Sequence, residues 1–261
     1  MNYFQLRFTL VSILFLLLFS SCKKYQYLSV VGDVYNEKIM ENQIETDSLI
    51  INYSFNGPDC PVKITVYNKL NQPIYVDWSK SSVILGGQRF SYWTDATSIK
   101  MNTESTEIKW NRIVSTASSN TNGVMVRNER ISFIPPNSNV IYSPISIKSS
   151  WIELDPSYGK KGDVPCNYES MNGLFYYYAK ENTPFEFRSF ITLSTNEQFT
   201  NPRFFDSNFW VNEIMITKAG PNELLNFMPS QFYNSKPTGF GGFIGGVVLS
   251  AAIVLAIMTA N

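Results

Sequence analysis

What most limits the architectures open to this chain is a succession of short segments in which apolar and polar residues alternate, separated by turn-forming residues. In Val62–Asn68, Val62, Ile64 and Val66 fall on one side and Lys63, Thr65 and Tyr67 on the other. That two-residue period belongs to a strand with one buried face. Ser48–Phe55 and Ile74–Trp78 are similarly rich in β-branched and aromatic residues, and Asn56-Gly57-Pro58-Asp59 and Asn71-Gln72-Pro73 separate the three runs. Ser82–Leu85 and Arg89–Trp93 flank Gly86-Gly87, a hairpin signal. Ile131–Ile134, Val140–Ile147, Leu174–Tyr178, Phe185–Leu193 and Phe209–Thr217 read the same way. About ten short strands joined by turns predict an all-β sandwich rather than a helical or α/β fold. Helical periodicity is scarce in this body, with one short helix expected at Asn222–Phe227.

The two chain ends carry a different signal. Arg7 precedes the apolar run Phe8–Phe19, which leads into Ser20-Ser21-Cys22. A basic start, a hydrophobic stretch and a pair of small residues mark a secretory signal. The stretch falls short of the ~20 residues needed to cross a bilayer. The segment resembles the bacterial lipoprotein lipobox, with Phe19 where leucine is usual. The resemblance implies removal of residues 1–21, lipidation of Cys22 by palmitate-type acyl chains, and Cys22 as the mature N-terminus.

At the other end, Pro237 to Asn261 holds no charged side chain, and 239–260 is almost entirely apolar or small. As a helix that segment extends about 33 Å, enough for a transmembrane span. Gly241, Gly242, Gly245 and Gly246 share one sector of that helix. Their overlapping GxxxG spacings suit close approach by a neighbouring helix, so self-association is a possible role. Asn261 offers no positive charge to hold the C-terminus in the cytoplasm, and the orientation stays open.

These readings divide the chain into a signal peptide (1–21), a stem (22–46), a β-sandwich domain (47–219), a tether (220–238) and a transmembrane helix (239–260). Within the domain, 97–122 is rich in Ser, Thr and Asn and reads as a long polar loop. The tether is expected because Gly220–Pro237 contains Pro221, Pro229 and Pro237 just before the apolar tail. The 21 basic and 21 acidic residues balance, without the concentrated positive surface that nucleic-acid binding requires.

With Cys22 lipidated, Cys60 and Cys166 remain, each beside a proline. A bridge between them would close a long loop and stabilise by about 4–5 kcal/mol in the chain-entropy model. The alternative is two buried thiols. The absence of histidine excludes His-based triads, Cys-His dyads and histidine zinc sites. No catalytic residue, metal site or cofactor is expected. Asp77-Trp78 sets a carboxylate beside an aromatic ring, a pairing suited to a sugar ligand and equally to a strand end with a core tryptophan.

Three segments carry a resemblance to a family. Cys60-Pro-Val-Lys-Ile-Thr-Val-Tyr-Asn68, Pro73-Ile-Tyr-Val-Asp-Trp-Ser-Lys-Ser81 and Phe133-Ile-Pro-Pro-Asn-Ser138, behind the lipobox, resemble a group of cell-envelope lipoproteins of Bacteroidota-type bacteria. The resemblance implies an immunoglobulin-like β body and an envelope location, and it brings no chemistry. Lys23-Lys24-Tyr25 stands where surface-exported members of such groups often carry acidic residues, which points to a periplasm-facing domain. The expected function is that of a non-enzymatic, membrane-anchored binding or assembly protein, with the inner or outer membrane left open. A glycan-binding or glycan-processing surface lipoprotein is the alternative.

Overall fold

A computed structural model describes residues 22–93, 98–111, 114–126, 129–167 and 169–238. The strands run in chain order β1 (Cys22–Gly32), β2 (Tyr35–Asn36), β3 (Glu41–Glu45), β4 (Leu49–Ser54), β5 (Gly57–Pro58) and β6 (Pro61–Asn68). Next come β7 (Ile74–Asp77), β8 (Ser82–Leu85), β9 (Gln88–Ser91), β10 (Ser98–Asn111), β11 (Val114–Val126) and β12 (Ile131–Ile134). The remainder are β13 (Asn139–Ser146), β14 (Lys160–Val164), β15 (Met171–Tyr177), β16 (Glu186–Ser194), β17 (Arg203–Thr217) and β18 (Gln231–Thr238). Two single 3-10 turns, Pro156–Tyr158 and Lys180–Asn182, are the only helical elements among the described residues.

The fold is all-β, with its sheets in a sandwich-like arrangement. An eleven-stranded sheet follows the path β12-β7-β16-β17-β1-β18-β5, with β8, β9, β14 and β15 branching from it. A five-stranded sheet runs β13-β6-β4-β3-β2. In β6 the expected alternation holds, with Val62, Ile64 and Val66 buried, and in β4 Leu49, Ile51 and Tyr53 face the same way. They meet Leu28, Val30, Phe187, Ile191, Phe209 and Val211 of the larger sheet in one core. Phe55, Phe187 and Phe209 meet at centroid distances of 5.1–5.3 Å, in edge-on and stacked geometries that aromatic rings favour. Gly86 and Gly87 both take positive φ (54° and 80°), which lets the β8–β9 hairpin turn tightly.

Four expected segments are corrected. The stem at 22–46 is three strands: β1, inside the large sheet between β17 and β18, and β2 and β3 of the five-stranded sheet. Its polar side chains mislead: Gln26 is fully buried, yet its amide donates to Ile152 O and accepts from Ile152 N, both at 2.9 Å. The end of the tether is β18, paired to β1 over eight residues from Cys22↔Thr238 to Ser29↔Gln231. Its Pro237 stands near the strand's end, where a missing N–H costs little.

The polar loop at 97–122 is a long hairpin, β10 on β11, in a sheet of its own. The two strands pair along the backbone from Ser98↔Val126 to Asn111↔Val114. Finally, Asn222–Phe227 forms turns rather than a helix, because Leu224 bridges to Cys166.

Candidate functional site

Asp77 and Trp78, the expected ligand pair, are both interior. Trp78 is completely buried, its indole N–H donates to Ser132 Oγ at 2.9 Å, and its ring stacks on Tyr142 at 4.0 Å with planes 8° apart. Asp77 is 2 % exposed; its Oδ1 accepts from Ser79 N (3.0 Å), Ser79 Oγ (2.5 Å) and Lys80 N (3.2 Å). Ser81 Oγ then donates to Asp77 O and accepts from Thr192 N, tying this turn to β16. These two residues build the β7–β8 turn and the core. They are not a ligand site.

The expected disulfide is likewise absent, and Cys60 and Cys166 are free thiols. Cys60 lies in the main core between the sheets, whereas Cys166 borders a second apolar cluster. Asp59 and Cys60 both take left-handed backbone angles (φ 64° and 56°), unusual without glycine. Backbone bonds from Ile147 N to Cys60 O and from Lys148 N to Asp59 O fix that turn. Burial pushes the Cys60 thiol well above its ordinary pKa, so it stays protonated and unreactive.

That second cluster identifies a feature the sequence reading missed. Tyr27, Val164, Met215, Ala219 and Leu224 pack together on the far side of the large sheet, with Tyr25, Phe175, Phe227 and Tyr233 around them. Tyr27 Oη donates to Ala219 O at 2.8 Å, which holds the 219–229 segment against the sheet. Beside this flap lies a cleft of about 350 Å³, whose lining includes Tyr35, Met40, Asn212, Glu213, Met215 and Met228.

A β-bulge re-aims the side chains at its floor. Ser29 faces Glu213 and Val30 faces Val211, so Asn212 is an extra residue on β17. Phe209 and Val211 point into the main core before the bulge, and Ile214 does so after it. Glu213 is thereby turned onto the outer face. Burial without a compensating cation raises its carboxyl pKa above the ordinary range. Asn212 Oδ1 is buried there with no hydrogen-bond partner among the described atoms. The change of parity within Phe209–Thr217 is the signal that could have revealed the bulge.

A second surface gathers at the end of the large sheet where both chain ends meet. Cys22 pairs with Thr238, Lys24 with Lys236, and the next row holds Tyr25 between Thr217 and Ser235. Lys23, Lys24, Lys161 and Lys218 are exposed at this end. Lys24, Lys161 and Lys218 line a groove of about 720 Å³ together with Met171, Leu174 and Ile216. Lys236 lies 4.4 Å over the Trp151 ring and pairs with Glu153 at 3.1 Å. Cys22 is described as the first residue of β1. The expected signal peptide and the expected helix with Gly241, Gly242, Gly245 and Gly246 lie outside the described residues. Among the described residues no helix is long and apolar enough to cross a membrane.

The fold and these surfaces define an all-β, sandwich-like protein with an outer-face cleft and a lysine-rich end. No protein-family model matches the chain, and neither the curated proteins nor the solved structures include one similar to it.

Proposed function

We propose that the protein is a cell-envelope lipoprotein, held to one membrane at both ends of its β body, that acts as a non-enzymatic binding or assembly protein. The pairing of Cys22 with Thr238 carries the reading. Acyl chains on Cys22 and an apolar helix over 239–260 would enter the bilayer side by side from the same face. The body would then stand on the periplasmic side, with Asn261 emerging on the opposite face.

The root of the β10–β11 hairpin supports an outward-facing role. Ile131, which follows it closely, pairs with Asp77 at the end of the large sheet remote from Cys22 and Thr238. The cleft around Glu213 and this distal ribbon are the surfaces left for a partner. Self-association through the Gly241/Gly245 and Gly242/Gly246 spacings is part of the same proposal. So is the immunoglobulin-like character of the sandwich, supported by two sheets closed over a buried tryptophan. The glycan reading loses the Asp77–Trp78 pair, which is buried.

Export of the chain behind an ordinary cleavable signal peptide, ended at Thr238, tests the anchoring. The unaltered protein is expected in the membrane pellet after carbonate washing and the doubly altered chain in the soluble fraction. Release of the unaltered protein by the wash would refute the proposal.

A further inference from the structure

We infer that the lysine-rich end of the large sheet is a docking surface for the anionic headgroups of the bilayer in which the chain is anchored. The inference rests on the anchoring reading above and adds what the body itself does at the membrane.

Register sets the lysines in place. Lys24 faces Lys236 across β1 and β18, and Lys218 immediately follows Thr217, the partner of Tyr25 on β17. Lys161 pairs with Leu174 on β15, and Leu174 with Ile216 on β17, one row further in. Lys23 completes the set beside Cys22. Nothing in the sequence brings Lys161 and Lys218 to the lysine pair that follows Cys22; the fold does.

Acidic groups at this end offset the lysines only in part. Glu153 is engaged by Lys236, and Glu223, whose Oε2 accepts from Gly220 N, keeps its negative charge beside Lys23 and Lys218. Asp163 and Glu169 are exposed on the neighbouring β14–β15 stretch, so the lysines exceed the carboxylates by one, and the excess lies at Lys24, Lys161 and Lys218 around the groove. The groove between Lys24, Lys161 and Lys218 has an apolar floor in Leu174 and Ile216, a lining matched to a phosphate headgroup with the start of its acyl chains. Trp151, half-buried under Lys236, has the amphipathic character of residues that settle at a membrane interface.

The occupant follows from where the chain ends. Cys22 and Thr238, the two ends of the described body, lie side by side at this surface, so on the anchoring reading headgroups are the anions held next to it at high local concentration. Such attraction fades beyond a Debye length and weakens as salt rises.

The full-length acylated protein, reconstituted in nanodiscs of phosphatidylcholine with or without phosphatidylglycerol, tests this by amine labelling and peptide mass spectrometry. Labelling of Lys161 and Lys218 should drop by about threefold on adding phosphatidylglycerol and recover in high salt, as surface electrostatics require. Lys80, exposed at the opposite end, should label equally in both discs. In a Lys161→Glu/Lys218→Glu variant of unchanged circular dichroism, the protection of Lys24 should disappear. Protein recovered with the discs but labelled equally in both would overturn the docking surface and leave the anchoring intact. Protein that never enters the discs would overturn both. Equal protection by inorganic phosphate in detergent would replace the bilayer with a free anion as the occupant.

Discussion

Single residues separate what holds the body together from what could meet a ligand. Trp78 combines complete burial, a hydrogen bond to Ser132 and a stack on Tyr142. Trp78→Ala should lower the unfolding free energy by about 3–5 kcal/mol in urea titration. Glu213 should behave in the opposite sense. Its folded pKa is raised by desolvation, so its favourable contribution is complete below the ordinary carboxyl value and is lost as pH rises through the raised value. Glu213→Gln should therefore melt higher than the unaltered protein at neutral pH, with the difference vanishing in acid. A constant difference across pH would show that the carboxyl is not strained in its cleft. With Cys22 acylated, thiol titration should find two reactive cysteines after denaturation and only Cys166 readily before it. A single disulfide instead would restore the Cys60–Cys166 bridge.

Among the elements, the strands with one buried face were the legible ones. Val62–Asn68 shows its period in the side chains themselves, and the structure buries the expected face. β1 and β18 escaped because their register is set by each other and by β17, partners separated from β1 by most of the chain. β10 and β11 escaped for another reason: they pair with each other along the backbone, and a run of polar residues gives such pairing no periodic mark in the sequence. Two consequences are measurable. A chain ended before Gln231 loses β18 from the large sheet and should no longer unfold cooperatively by calorimetry. Replacing 98–126 with a short Gly-Ser turn should shift stability by less than about 1 kcal/mol, since loop length costs little. A large loss there would mean that the ribbon braces the sandwich.

On the scale of the whole molecule, the pairing of the two ends turns two unrelated sequence signals into one arrangement. The lipobox-like segment and the apolar tail lie at opposite ends of 261 residues, yet β1 and β18 bring Cys22 and Thr238 together. The outer-face cleft was not legible at all, since its floor depends on a bulge and its wall on the 219–229 segment folding back. With the anchor in the inner membrane, a C-terminal epitope after Asn261 should stay protected from protease in spheroplasts while the body is digested. The most direct measurement is the intact mass of the protein purified from membranes. The account predicts a chain beginning at Cys22, carrying acyl groups on that residue and retaining its tail through Asn261. An unmodified Cys22 thiol, or a chain still beginning at Met1, would contradict it.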